Sequence, residues 1–148
     1  MIEFDNITVV RDGLKFFLGK QIGKGMCREV FENSFDSTTV IKYEIAGFQN
    51  IREYELWKEV EGSPLAKWFA PCVDISACGI FLVQKKTEKP LHCDYPKEVP
   101  HFFVDTKFNN YGIIVEKGKK RFVCHDYGSF LWSKGLGKRL VKADWWKE

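Results

Sequence analysis

The chain of 148 residues corresponds to a single domain and is long enough to bury a core. Its aromatic content of 16%, with 13 Phe, argues against intrinsic disorder, because such a chain can bury a large apolar area. A net charge of +3 does not by itself indicate a nucleic-acid-binding protein, and no stretch approaches the roughly 20 apolar residues that span a bilayer.

The first third of the chain is predicted to form antiparallel strands. An Asp12-Gly13 turn separates the first two strands, and a glycine turn, Gly23-Lys24-Gly25, separates the next two. The β-branched residues Val40 and Ile41 support a further strand that contains Lys42. The predicted strands cover residues 7–10, 14–18, 20–22, 29–32 and 40–44.

Residues 49–60 predict a helix, because they are good helix formers, contain neither Gly nor Pro and precede a Gly-Ser-Pro stop. Glu53, Trp57 and Val60 fall at i, i+4 and i+7 and therefore share one face of this helix. Since Trp57 and Val60 should bury that face, the carboxylate of Glu53 needs a partner there. Lys42 is the expected partner, and Glu55 falls on a wetter face.

Beyond this helix we expect short elements and an aromatic tail. Ser63 can cap a short helix, because its hydroxyl accepts an N–H of the first turn and Pro64 suits the helix start. Trp132, Trp145 and Trp146 should anchor the tail. The predicted elements are a helix over 65–69, a strand over 80–83, a hairpin of 111–116 and 121–124, and one or two helices within 129–148.

Cysteine usage and the N-terminal residues predict a cytoplasmic protein with reduced thiols. The five cysteines are odd in number and include no Cys-x-x-Cys, and residues 1–5 are acidic rather than signal-like. A zinc site is an alternative that we disfavour. It would need two adjacent residues to bind the same ion, although adjacent side chains of a strand point to opposite faces of the sheet. Its ligands would be His92, Cys93, Cys124 and His125.

Five short motifs occur in a set order along the chain, and each is weak alone. Gly23 and Gly25 lack a Cβ, so backbone N–H groups can close over phosphates there. The motifs are the glycine turn with Val30, the run that ends at Lys42, Glu53, the segment Asp105-Thr106-Lys107-Phe108-Asn109-Asn110, and Asp126-Tyr127-Gly128.

In this order and at these spacings, the motifs resemble the ATP-handling parts of the protein-kinase-like superfamily, over residues 18–128. Within it, the chain looks most like small truncated kinase-like proteins of bacteriophages, through residues 25–31 and 49–53. The resemblance implies an α+β minimal kinase-like fold. An antiparallel-sheet small lobe with one helix would be joined to a reduced second lobe that carries the catalytic loop and a β-hairpin. The single domain 1–148 would comprise a small lobe (1–84), a hinge, catalytic loop and metal turn (85–128), and a tail (129–148).

The resemblance also implies a role for each motif residue, with ATP and Mg²⁺ as cofactors. Asp105 would orient or accept the proton of the attacking hydroxyl, and Lys107 would neutralise the γ-phosphate. Asn110 and Asp126 would hold Mg²⁺. The nucleotide would be bound by Gly23, Gly25, Val30, Lys42 and Glu53.

The chain also departs from this family. Arg28 stands where a third glycine is usual, and Phe103-Val104 replaces the usual His-Arg. Residues 88–104 contain three prolines and cannot hold a long helix, so the helical large lobe is nearly absent. The aromatic tail or a partner is expected to cover the apolar surface that this leaves.

Two functions follow from these expectations. The first is an ATP- and Mg²⁺-dependent phosphotransferase that transfers the γ-phosphate to a hydroxyl acceptor. The alternative is a catalytically silent kinase-like module that binds and modulates a protein, which would be a host protein if the chain is phage-encoded. Nucleic-acid binding through the basic residues of 134–142 is least favoured, and no membrane association is expected.

Overall fold

The computed structural model describes residues 6–128 and 135–146 and shows a small α+β fold with an antiparallel sheet and few helices. Three short 3-10 segments also occur, at Pro64–Trp68, His92–Asp94 and Phe108–Asn110. The elements are α1 (Asn6–Phe17), β1 (Leu18–Lys24), β2 (Arg28–Asn33), β3 (Thr39–Glu44), α2 (Gln49–Val60), β4 (Cys72–Ile75), β5 (Phe81–Lys85), β6 (Glu98–Pro100), β7 (Tyr111–Glu116), β8 (Lys119–Cys124) and β9 (Leu140–Lys142).

Five strands form one antiparallel sheet in the order β1-β2-β3-β5-β4. Helix α2 follows β3 in the chain and buries one face, made of Asn50, Glu53, Leu56 and Val60. The predicted helix over 49–60 is confirmed, and Glu53 and Val60 are buried as predicted, whereas Trp57 is half-buried and Leu56 is buried beside it. This packing brings two polar side chains, Asn50 and Glu53, into the interior of the molecule.

The short elements beyond α2 also agree with the sequence. The 3-10 segment Pro64–Trp68 begins at Ser63, whose hydroxyl oxygen accepts the Leu65 N–H at 3.2 Å. β5 overlaps the strand predicted over 80–83 but begins at Phe81 and ends at Lys85, and β7 pairs with β8 as the predicted hairpin. Within residues 88–104 the structure has only a three-residue 3-10 turn and the short β6.

The N-terminal prediction of two strands over 7–10 and 14–18 is wrong, because residues 6–17 form helix α1. Ile7, Val10 and Leu14 follow one another at three- and four-residue spacings, which also suit a helix. The Asp12-Gly13 pair favours a turn, yet a single glycine costs a helix only about 1 kcal/mol. The first strand begins only at Leu18.

The predicted helices of the tail are also wrong where the structure describes the tail. Residues 135–146 contain no helix, and Leu140–Lys142 instead form β9, which pairs with β6. This long-range strand pairing decides the conformation in place of local propensity. Residues 129–134, including Trp132, lie outside the described residues.

An aromatic core joins the hairpin to the tail. Tyr111 stacks on Phe122 across the two strands, with ring centroids 5.3 Å apart. Trp145 and Trp146 of the tail pack on Tyr111 at 5.4 and 6.3 Å, so the tail covers this apolar surface. No helix within 6–128 and 135–146 is long and apolar enough to cross a membrane.

Candidate functional site

A cavity of about 740 Å³ is lined both by the strands β1, β2, β3 and β5 and by residues from 105–110 and 125–126. It contains every site residue that the sequence predicted except Glu53, which lies fully buried. The lining residues are Ile22, Gly23, Lys24, Gly25, Met26, Cys27, Arg28, Val30, Val40, Lys42, Gln49, Gln84, Lys85, Lys86, Thr87, Asp105, Lys107, Asn109, Asn110, His125 and Asp126.

Five donors converge on the Glu53 carboxylate. Oε1 accepts hydrogen bonds from Lys42 Nζ and from Gln84 Nε2, the latter at 3.0 Å. Oε2 accepts from Arg28 Nη2 at 3.0 Å and from the backbone N–H groups of Tyr127 and Gly128 at 3.0 and 2.9 Å. Helix α2 is thereby tied to the strands and to the turn at 126–128.

Glu53 is ionised in the folded protein. Burial alone would raise the pKa of this carboxyl, but Lys42 and Arg28 outweigh the burial and lower its pKa to about 2. Lys42 in turn donates to Glu53 and to the carbonyl oxygen of His125, so its ammonium group is fixed at the cavity wall. The predicted pairing of Lys42 with Glu53 rather than with Glu55 is what the structure contains.

Arg28, at the start of β2, is the centre of a second set of contacts. Its Nη1 donates to Asn50 Oδ1 at 3.1 Å. Its Nη2 donates to Glu53 at 3.0 Å and to Asp126 Oδ1 at 2.5 Å. Burial alone would lower the pKa of the guanidinium, but the carboxylates of Glu53 and Asp126 outweigh burial and raise that pKa above its ordinary value. Arg28 is therefore a permanent cation here.

Asn50 is a residue whose role sequence reasoning missed, although its place one turn before Glu53 was the available signal. Its Nδ2 donates to three backbone carbonyl oxygens, those of Lys42, Gly79 and Ile80, at 2.9 to 3.0 Å. These bonds set the amide orientation, so that Oδ1 faces Arg28. Asn50 therefore helps to fix the position of the guanidinium.

Asp105 and Lys107 lie together at the cavity wall. Asp105 is half-buried, and its Oδ1 accepts the Lys107 backbone N–H at 3.2 Å. The Tyr111 hydroxyl donates to the Asp105 carbonyl oxygen at 2.6 Å and anchors this loop to β7. The Lys107 side chain is exposed, so it is free to approach a ligand.

Asn110 and Asp126 are held side by side through the backbone. The carbonyl oxygen of Asn110 accepts the N–H of His125 at 2.8 Å and that of Asp126 at 3.4 Å. Asn110 is buried, whereas the Asp126 side chain is 43% exposed. The structure thus brings the two residues predicted as metal ligands to one cavity wall.

His125 is a second cavity residue that sequence reasoning did not select. Burial, and then Lys42, lower the pKa of its ring, which is therefore neutral at pH 7. The ring Nε2 donates to the Asn109 carbonyl oxygen at 2.5 Å, so Nδ1 is the acceptor for the Thr87 hydroxyl at 2.7 Å. The ring joins the segment after β5 to the loop before β7.

The backbone conformation of the turn at Gly23 and Gly25 does not require glycine. Gly25 N–H donates to the Arg28 carbonyl oxygen at 2.8 Å, and Gly23 pairs with Val30 across β1 and β2. Neither glycine has a positive φ. A Cβ would meet only ordinary contacts, at 3.5 Å from Val30 for Gly23 and at 3.8 Å from Arg28 for Gly25.

Asn110 and Asp126 supply the oxygen donors that Mg²⁺ prefers, but their surroundings do not fit the ion. Arg28 already neutralises Asp126 at 2.5 Å. At an effective dielectric constant of about 20, unit charges about 4 Å apart interact by roughly 4 kcal/mol, so Arg28 would repel a divalent ion about twice as strongly. Asp126 Oδ1 is thus already occupied by Arg28, and a cation at Oδ2 would lie next to the guanidinium.

The part of the chain that the structure describes also lacks a group of side chains that could bind another metal ion. Within 6–128 and 135–146, no three residues of the types His, Cys, Asp and Glu are grouped so that they could hold an ion. The zinc alternative therefore fails, because its two Cys-His pairs do not assemble. Cys124 is buried, Cys93 is exposed, and both ring nitrogens of His125 have protein partners.

No protein-family model and no curated protein sequence matches the chain. Among solved structures, it is similar to the complex of gentamicin with APH(2")-IIa, an aminoglycoside phosphotransferase with a protein-kinase-like fold. The identity is 18% and the TM-score 0.41, over 64% of this chain and 33% of that one. The chain thus spans about a third of the length of that protein.

Proposed function

We propose that the chain is a minimal kinase-type phosphotransferase, which binds ATP in the cavity and transfers the γ-phosphate to a hydroxyl acceptor. The observation that carries the proposal is the convergence of separate motifs on one cavity. Gly23, Lys42, Asp105 and Asp126 are distant in sequence but line the same space of about 740 Å³. This volume is within the range that small-molecule sites occupy.

The charge of the cavity supports a polyphosphate ligand. Its lining includes six cationic side chains and only two carboxylates, Asp105 and Asp126. An excess of positive charge in a cleft attracts anions and raises their local concentration. The cationic residues are Lys24, Arg28, Lys42, Lys85, Lys86 and Lys107.

Two features that folding does not explain support a ligand in this cavity. Gly23 and Gly25 could each carry a Cβ without a clash, so close approach by a ligand is the remaining reason for glycine. Gln84 lines the cavity, and its Oε1 is buried without a hydrogen-bond partner.

The phosphoryl transfer uses residues of the chain as follows. Asp105 accepts the proton of the acceptor hydroxyl, whose oxygen forms a bond to the γ-phosphorus. The bond between the γ-phosphorus and the bridging oxygen breaks, and ADP leaves with the electron pair. Lys42 and Lys107 balance the negative charge on the phosphates. No step is assigned to Mg²⁺, although the family resemblance places it at Asn110 and Asp126.

The first test is thermal unfolding of the full chain with and without ATP, followed by transfer from γ-labelled ATP to candidate hydroxyl acceptors. ATP at about 100 times its dissociation constant should stabilise the fold by roughly 2.7 kcal/mol. Asp105→Asn should abolish transfer and keep this stabilisation. The matched control is Asp74→Asn, which changes an exposed carboxylate outside the cavity and should alter neither. Absence of stabilisation at millimolar ATP would refute the proposal.

One observation favours a second function, a catalytically silent kinase-like module that acts by binding a protein. Arg28 engages Asp126, the residue that the resemblance assigns to the metal. A silent module would show ATP stabilisation without phosphoryl transfer to any acceptor, or no ATP binding at all. If the chain is phage-encoded, its binding partner would be a host protein and its location the host cytoplasm.

A further inference from the structure

We infer that Arg28 takes the place of a divalent cation in this cleft, so that the nucleoside triphosphate binds as the metal-free anion. The inference rests on the proposed function, because it concerns the nucleotide cavity. In this arrangement the chain itself provides the cation that ATP sites ordinarily take from solution.

The guanidinium of Arg28 is held in a fixed position. Arg28 is only 6% exposed and contacts Asn50, Glu53 and Asp126, each at 3.1 Å or less. Asn50 and Glu53 are themselves fully buried and held by several other hydrogen bonds. Arg28 therefore cannot leave Asp126 without breaking the contacts that organise α2.

Arg28 and Lys42 are paired with Glu53 and Asp126, so a positive charge already faces Asp126. The carboxylate of Glu44, which accepts the Asn50 N–H at 2.8 Å, also stabilises the charged guanidinium. A divalent ion at Asp126 Oδ1 would face that guanidinium directly.

Arg28 also lines the cavity, together with Lys42 and Lys24. A guanidinium carries five N–H groups, and the contacts with Asn50, Glu53 and Asp126 use three of them. Arginine suits phosphate oxygens because its planar donors can bind two of them at once.

The experiment is calorimetric titration of the full-length protein with ATP, in EDTA and in excess Mg²⁺. The dissociation constant for ATP should agree between the two conditions to within about threefold, a difference of less than one charge-assisted contact. Binding that is at least about tenfold tighter with Mg²⁺ would overturn the inference.

Variants of both partners keep the test decisive. Arg28→Gln should weaken ATP binding in EDTA by at least about tenfold, while the matched control Arg52→Gln, an exposed arginine on α2, should not. Because Arg28→Gln leaves buried charge behind and can unfold the chain, Asp126→Asn is the second variant. It retains the Arg28 contact with Glu53 and removes a negative charge from the cavity, so ATP should bind more tightly in EDTA. Weaker binding by Asp126→Asn in EDTA would overturn the inference.

The outcomes separate this inference from the proposed function. ATP binding that requires Mg²⁺ overturns the role of Arg28 and leaves the phosphotransferase proposal standing. Metal-free ATP binding without phosphoryl transfer supports Arg28 as the cation and refutes the phosphotransferase. No ATP binding in either buffer, by a protein shown to be folded, overturns both.

Discussion

Replacing Glu53 with Gln tests whether one buried carboxylate organises the whole site. The two side chains have nearly the same shape, so packing is preserved and only charge and hydrogen bonding change. Wherever the new amide nitrogen lies, it opposes existing donors. At the Oε1 position it faces Lys42 and Gln84, and at the Oε2 position it faces Arg28 and two backbone N–H groups.

Breaking a buried ion pair by removing one partner typically destabilises a protein by about 3–5 kcal/mol. The lowered pKa of Glu53 agrees in sign, because Lys42 and Arg28 outweigh the effect of burial and stabilise the ionised carboxylate in the folded protein. Because small domains have about 5–15 kcal/mol of stability in total, the loss should be easily measured.

The assay is urea unfolding at pH 7, followed by the fluorescence of the five tryptophans, which include the half-buried Trp145 and the buried Trp146. The control is Glu55→Gln, because Glu55 is exposed on the same helix and its change should cost less than about 0.5 kcal/mol. A loss below about 1 kcal/mol for Glu53→Gln would show that the converging donors are satisfied without this charge, and would refute the reasoning.

Three further predictions concern pH, packing and thiol reactivity. Because the folded pKa of Glu53 is lowered, its stabilisation is present above about pH 4.5 and is lost as the pH falls through about 2, and acid unfolding of Glu53→Gln should lack this component. Gly128→Ala would place a Cβ 2.5 Å from a backbone oxygen of α2, so calorimetry should show a destabilisation of about 1–3 kcal/mol. The control is Gly13→Ala, which should not destabilise the fold because a Cβ there would meet open space. A backbone hydrogen bond lowers the pKa of the exposed Cys78 thiol, whereas burial raises the pKa of the Cys124 thiol. Iodoacetamide should therefore label Cys78 in the native protein and Cys124 only after unfolding, and peptide mapping of the labelled protein measures this. Native labelling of Cys124 would contradict the packing described here.

The secondary structure could be predicted where one local signal dominated. Helix α2 has strong helix formers, a clear apolar period and a Gly-Ser-Pro stop, and its bounds agree with the prediction. The hairpin of β7 and β8 is likewise specified by its turn and flanking strands. The signals conflicted at residues 6–17, where the Asp12-Gly13 pair suggested a turn inside what is a helix.

The site could be predicted in its members but not in its contacts. The order of the motifs indicated which residues meet in the cavity, and the helical period indicated that Glu53 faces inward. The functional assignments themselves stay predictions. Sequence reasoning recognised Arg28 only as a departure from a glycine, because its partners Asn50 and Asp126 lie 22 and 98 residues away.

The sequence by itself determined the α+β class, the position of α2 and the set of polar residues available for chemistry. These properties depend on short-range preferences and periodicities that act within a few residues. Only the tertiary structure decided that Arg28 pairs with Asp126. It also decided that the tail pairs as β9 with β6. Both depend on contacts between distant segments, where burial makes each charge and each backbone group find a partner.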